Sequence, residues 1–171
     1  MQDILECCCG LDIHKDSIVA CLLKGPLNKQ PSSEIRVFST LLSDLESLKE
    51  WLVKENCMHV AMESTGIYWI PVYETLETAF DGHMSLIVAN ARHMKNVPGK
   101  KTDMKDAEWI ATLLRAGLLN GSFIPEKDIR ELRELTRYRK SVISDITSQK
   151  NRIEKFLQSC GFRLSSFISD I

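Results

Sequence analysis

The sequence contains no apolar run long enough to span a bilayer, and its opening residues, Met1-Gln-Asp-Ile-Leu-Glu, lack the basic start and apolar middle of a secretory signal. A membrane role is thereby excluded, and a cytoplasmic protein is expected. No two of the six cysteines stand at the C-x2-C spacing of a zinc site. Cys7, Cys8 and Cys9 are consecutive, Cys21 and Cys57 are isolated and Cys160 lies near the end, so they read as small buried hydrophobes of a reducing compartment. None of the eight glycines builds a phosphate-cradling loop, which ranks an actin-like or sugar-kinase ATPase low despite an Asp at the end of the first expected strand. The four histidines show no ligand spacing and are read as incidental, His93 adding to a basic loop. Internal repeats and low-complexity segments are lacking as well.

What is present is the composition of a globular domain with an appendage: 171 residues, 44% hydrophobic and 26% charged. The net charge of −1 conceals a local imbalance. Between Lys127 and Lys155 nine Lys and Arg face five Asp and Glu, and the loop after Asn90 is basic too.

Along the chain, Leu5 to Leu23 holds two strand-length apolar stretches, LECCCGLDI and SIVACLL, parted by His14-Lys15-Asp16, which predicts a hairpin. Asp12 stands at the end of the first strand, where an ionised group is costly to bury without a partner. A turn-initiating Asp is an equal reading there. Gly25 to Ser33 is a loop, and Glu34 to Thr40 alternates as a third strand. Ser43 followed by Glu46 matches a capping box, after which Leu45, Leu48, Trp51 and Leu52 recur at helical spacing. Met58 to Met62 reads as a short buried strand with Glu63 at its carboxyl end, the edge of an open sheet where sites gather. Ile67 to Phe80 is helical in pattern, and Pro71 puts the helix start near Tyr68 to Ile70. Ser85 to Ala89 (SLIVA) is the most continuous apolar run and predicts a central strand buried on both faces.

The stretch from Val97 to Ala111, VPGKKTDMKDAEWIA, joins a basic loop to a helix that Thr102 can cap. Asp103 and Asp106 are three residues apart and so share one helix face. Like charges that close repel unless a cation or proton sits between them. Lys100, Lys101 and Lys105 surround them, and Arg92 and Lys95 precede them, which suits a polyanion. Acidic residues are also favoured in the first turn of any helix, so this segment alone is compatible with a plain helix start. Trp109, Ile110, Leu113 and Leu114 form the apolar stripe of that helix, and Gly117 marks its end.

Beyond Pro125, Glu126 to Gln158 predicts one long helix. Leu132, Leu135, Tyr138, Val142, Ile146, Ile153, Phe156 and Leu157 keep a heptad-like seam, while Arg137, Lys140 and other cations line the remaining faces. The charged face fits either a solvated coiled-coil arm or a phosphate-contacting strip.

Strands alternating with helices after an antiparallel start predict an α/β fold with a mixed sheet and helices packed on it. Asp12 and Glu63 both end strands, and the Asp103 helix follows the last strand, so the three termini can share one sheet edge. Carboxylates meeting there raise one another's pKa and call for counter-charge. Two Mg²⁺ or Mn²⁺ ions about 4 Å apart would supply it and clamp the attacking and leaving oxygens of a phosphodiester displacement.

Three blocks, Gly10-Leu11-Asp12-Ile13-His14-Lys15, Met62-Glu63-Ser64-Thr65-Gly66-Ile67-Tyr68 and Lys101-Thr102-Asp103-Met104-Lys105-Asp106-Ala107, in that order and spacing, resemble the N-terminal domain of the DEDD transposases of bacterial insertion sequences, the IS110 group and its relatives the Piv pilin-gene invertases. The resemblance implies a RuvC-like, ribonuclease-H-like catalytic domain over 1–124, with Asp12, Glu63, Asp103 and Asp106 as its catalytic and metal-binding tetrad. Residues 125–171 correspond to the helical arm, serving assembly of a homo-oligomer and contact with nucleic acid. It further implies DNA strand cleavage and exchange directed by a structured guide RNA. Arg92, Lys95, Lys100, Lys101, Lys105, Arg137 and Lys140 are the expected nucleic-acid contacts. Family members carry a second, C-terminal domain with a serine nucleophile; the chain ends at Ile171 before it, and a part of a longer enzyme is expected.

Two other classes remain open at this point. A stand-alone junction-resolving nuclease would cleave branched DNA without a partner domain. A non-catalytic nucleic-acid-binding and dimerisation module would bind indifferently to Mg²⁺ and to Asp12→Asn.

Overall fold

A computed structural model describes residues 2–64, 66–90 and 106–163 of the chain. It falls into two compact units, Met1–Phe123 and Ile124–Ile171.

In the first unit the opening hairpin forms as the sequence predicts. Strand β1 covers Cys7–Ile13 and β2 covers Ser17–Lys24, with Gly10 opposite Cys21 and Asp12 opposite Val19. Strand β3 starts slightly earlier than expected, covering Ser32–Ser39, and pairs antiparallel along the whole of β2. Helix α1, Leu42–Lys54, lays the predicted stripe of Leu45, Leu48, Trp51 and Leu52 into the core. It is anchored on β3, where the Phe38 and Trp51 rings are 5.8 Å apart and the Arg36 guanidinium lies over Trp51.

The expected capping box is not made. Leu41 occupies the cap position without a side-chain bond, which puts Ser43 inside the first turn. The junction is held instead by Ser39, whose backbone N–H donates to the Asp44 carboxylate and whose hydroxyl accepts from the Leu41 N–H.

Strand β4, His59–Glu63, returns parallel to β1, and β5, Ser85–Ala89, adds parallel to β4. Between them α2, Trp69–Glu77, has Pro71 in its first turn, as the sequence requires. A 3-10 turn, Ala79–Gly82, follows it, with Phe80 and Asp81 at positive φ. The sheet order is β3-β2-β1-β4-β5, mixed and flanked by helices, the α/β class that the sequence predicts.

SLIVA is therefore not a central strand. The centre is β1, and β5 lies at the edge of the sheet, fully buried only at Val88 and Ala89. Its apolar character has another cause: the outer edge is covered by 121–122, through a bridge from Gly121 to Ala89 and a bond from the Ser122 N–H to the Val88 carbonyl.

Helix α3, Asp106–Arg115, packs on the face of the sheet that carries Cys8, Cys21, Ala61 and Ala89, burying Ala107, Trp109, Ile110, Ala111, Leu113 and Leu114 against them. The helix ends at Gly117, whose φ of 66° is the left-handed conformation of a helix stop.

The second unit consists mainly of helix α4, Lys127–Ser159, a single 33-residue helix in which no residue is buried. Along it Leu132, Leu135, Tyr138, Ile146, Ile153 and Phe156 are all exposed.

Candidate active site

The register of two neighbouring strands sets the site. On β1 and β4, Gly10 pairs with Ala61 and Leu11 with Met62. The next residues along each strand are Asp12 and Glu63, so both carboxylates leave the carboxyl ends of adjacent parallel strands on the same side. That side is the α3 side, because Asp12 shares the parity of Gly10 and Glu63 that of Ala61.

Gly10 brings the third acid in. A Cβ built on it would lie 2.3 Å from both the Ala107 carbonyl oxygen and the Ala111 N, so only glycine lets the α3 backbone rest on β1. Asp106 directly precedes Ala107, which places the start of α3 over the end of β1.

Asp12 registers the convergence. Its carboxyl is pushed above the ordinary value of 3.8, first by burial and then by the charges of Asp106 and Glu63; His14 pulls the other way. His14 Nε2 lies 3.2 Å from Asp12 Oδ2. His14 is thus not incidental, as its lack of ligand spacing suggested: it directly follows the last residue of β1 and its ring reaches the carboxylate two residues before it.

Of the four expected acids, three are in described segments: Asp12, Glu63 and the exposed Asp106. Asp103 lies outside the described residues, as do Arg92, Lys95, Lys100, Lys101 and Lys105. Arg137 and Lys140 are exposed on α4. Among the described residues no group of three or more His, Cys, Asp or Glu is gathered tightly enough to hold a metal ion. The donor set nevertheless suits a hard divalent cation, being made of carboxylate oxygens whose mutual repulsion a cation relieves.

Arg115 carries a role that sequence reading missed. It is 1% exposed, and its guanidinium donates to the Asp3 carboxylate and to the carbonyls of Glu6, Gly25 and Pro26. It thereby ties the end of α3 to the start of β1 and to the turn after β2. A lone Arg closing an apolar helix stripe was the only signal.

No helix among the described residues is long and apolar enough to cross a membrane. The family model described as a transposase, DEDD_Tnp_IS110, matches residues 9–162. A protein of Sinorhizobium fredii named "Putative transposase y4qE" is 32% identical over 82 residues, 47% of this chain and 21% of its own length. The match thus spans about a fifth of that relative. Among solved structures, Thermus thermophilus RuvC in complex with a Holliday junction substrate aligns with a TM-score of 0.47 and 11% identity, covering 67% of this chain and 91% of RuvC. A second T. thermophilus RuvC structure gives a TM-score of 0.43 and 11% identity over 66% and 91%. With nine-tenths of its length matched by the family model, the chain belongs to the DEDD transposases of the IS110 group.

Proposed function

We propose that this chain is the nuclease part of a transposase that cuts and exchanges DNA strands at an insertion sequence, with Asp12, Glu63, Asp103 and Asp106 holding divalent cations, Mg²⁺ or Mn²⁺, as a pair. The observation that carries the reading is the convergence on Asp12 of charge from Glu63 and Asp106, residues from three separate segments of a chain in the transposase family. Divalent cations bound there would supply charge neutralisation at the attacking and leaving oxygens of a phosphodiester. The chain's own residues supply the rest. Asp12 and Glu63 are fixed by strand pairing, Asp106 by the docking of α3 on Gly10, and His14 orients the Asp12 carboxylate. Lys100, Lys101 and Lys105, with Arg92 and Lys95, are proposed to draw the phosphate backbone towards the acids.

The finer reading follows the family. Strand exchange is directed by a structured guide RNA, and the protein works in the cytoplasm. Residues 125–171 form an arm whose exposed apolar seam pairs with a second copy in a homo-oligomer, Arg137 and Lys140 contacting nucleic acid. Exposed large hydrophobics repeated along one solitary helix support that pairing.

The test is nicking of linear, branched and insertion-end DNA by the chain with Mg²⁺, Mn²⁺ or chelator, beside Asp106→Ala. Metal-dependent nicking lowered more than ~100-fold in the variant, beyond the cost of losing an outer-sphere partner, supports the assignment. Metal-indifferent DNA binding with no cleavage overturns it. Turnover of branched DNA alone moves the assignment to a junction-resolving nuclease.

A further inference from the structure

Helix α4 carries a seam that reads alike in both directions. Its heptad positions form two rows, Leu132, Arg139, Ile146, Ile153 and Cys160 in one and Asp128, Leu135, Val142, Gln149 and Phe156 in the other. All of these residues are exposed. About Ser144 the two rows are mirror images: each member of one row stands as far to one side of Ser144 as a member of the other stands to the opposite side.

That symmetry is what a two-fold axis between paired helices requires, because across such an axis one residue meets a second and the second meets the first. Two copies crossing antiparallel at Ser144 set Leu132 against the partner's Phe156, Leu135 against the partner's Ile153 and Val142 against the partner's Ile146. The two long polar members of the seam, Arg139 and Gln149, then meet each other, a guanidinium that only donates against an amide with an acceptor oxygen. The flanks agree, with Ile129 beside the partner's Leu157, Ile143 beside its own copy and the Tyr138 ring beside the partner's Arg152. Asp145 beside its own copy is unfavourable, a repulsion that salt screens at an exposed flank.

Other arrangements break the matching. Parallel and in register, Arg139 faces the partner's Arg139, two cations with no acceptor between them. An antiparallel pair slid by one heptad sets Arg139 opposite Val142 or Phe156, and Gln149 opposite Leu132 or Ile146, so that each polar group lies against an apolar side chain.

We propose that α4 pairs antiparallel with α4 of a second copy about a two-fold axis at Ser144, the meeting of Arg139 with the partner's Gln149 fixing orientation and register. The inference rests on the reading that the arm assembles a homo-oligomer, and adds which way the copies run. A polar group inside an apolar seam is a known means of selecting one alignment. In this pairing the two starts of the 33-residue helix lie at opposite ends of the pair, about 50 Å apart at 1.5 Å per residue.

The test places a thiol at position 128, which this register sets opposite the natural Cys160. Along one helix the two positions are about 48 Å apart, so a disulfide between them joins two copies. The full chain, as wild type and as Asp128→Cys, is sized by sedimentation velocity, oxidised with glutathione disulfide at low protein concentration and mapped by mass. Asp128 is exposed in the first turn, and circular dichroism checks that the variant keeps its helix content. Both proteins are expected to be dimers, with a link from position 128 to Cys160 in the variant and no link between two Cys160 residues in the wild type. Adding Cys160→Ser is expected to abolish the link. A dimer in which the wild type joins Cys160 to Cys160, or in which the double variant joins position 128 to its own copy, is parallel; it overturns the proposed orientation and leaves the assembly reading standing. A dimeric Asp128→Cys variant without the link from 128 to 160 overturns the orientation as well. A monomeric wild type overturns the assembly reading, and the orientation with it.

Discussion

Gly10 and Ala107 are in backbone contact: a single added carbon on Gly10 would stand 2.3 Å from the Ala107 carbonyl oxygen. One missing side chain therefore sets how close α3 comes to the central strand, and with it how close Asp106 comes to Asp12. Gly10→Ala forces the helix outward. Overpacking of this kind costs on the order of 2 kcal/mol. Urea denaturation is expected to show that loss, together with a larger loss of nuclease activity than of stability; a variant as stable and active as wild type would contradict the close approach.

Arg115 offers a second structural test. Removing it leaves the Asp3 carboxylate without its buried cation and takes one hydrogen bond from each of the Glu6, Gly25 and Pro26 carbonyls, of which Glu6 and Pro26 keep a backbone donor in Gly25 and Lys29. Arg115→Ala is expected to cost about 3 kcal/mol, as breaking a buried pair from one side does. Arg115→Lys keeps the charge without the planar fork and is expected to restore less than half of it. Equal stability of all three proteins in urea would rule out the tie.

The raised Asp12 pKa makes a prediction about pH. The folded protein holds the Asp12 proton more tightly than the unfolded chain, so the group's contribution to stability falls as pH rises from the ordinary 3.8 through the folded value. At neutral pH without metal, Asp12→Asn removes that deficit and is expected to melt at a higher temperature than wild type, while being inactive. Below pH 3.8 the advantage is expected to vanish. A variant less stable than wild type at pH 7 would show that the carboxylate is satisfied by its surroundings.

For Lys100 and Lys101, changing both to Ala is expected to weaken DNA binding and flatten the slope of log affinity against log salt by about two, near one for each phosphate no longer neutralised. An unaltered slope in fluorescence anisotropy titrations would place both lysines away from the backbone.

Leu135 and Ile146 lie exposed on α4. Converting both to Glu is expected to shift the chain from dimer or higher species to monomer in sedimentation velocity, while the unchanged first unit keeps its melting transition. A monomeric wild type would contradict pairing through this seam.

Much of this was legible in the sequence where one signal decided the outcome. The polar break His14-Lys15-Asp16 gave the hairpin, the four-residue stripe of α1 gave its buried face, and Pro71 gave the start of α2. The misreadings arose where two structures share one signal. A continuous apolar run such as SLIVA marks burial, but not whether a neighbouring strand or the 121–122 segment provides it. Ser43 had the spacing of a cap, yet Asp44 and Ser39 formed the better local bonds. Asp12 and Glu63 could be placed near strand ends because charge beside apolar runs stands out. Gly10 and Arg115 could not be singled out, since a glycine in a strand and an arginine at a helix end acquire meaning only from what lies across the fold.

The central claim is that acids from β1, β4 and the start of α3 act together on a cation. Isothermal titration of Mn²⁺ into this chain, beside Asp12→Asn, Glu63→Gln and Asp106→Ala, tests it most directly. Saturable binding weakened at least tenfold by each substitution, in proteins that remain folded, is the predicted result. Binding absent from the wild type, or unmoved by all three substitutions, would contradict it.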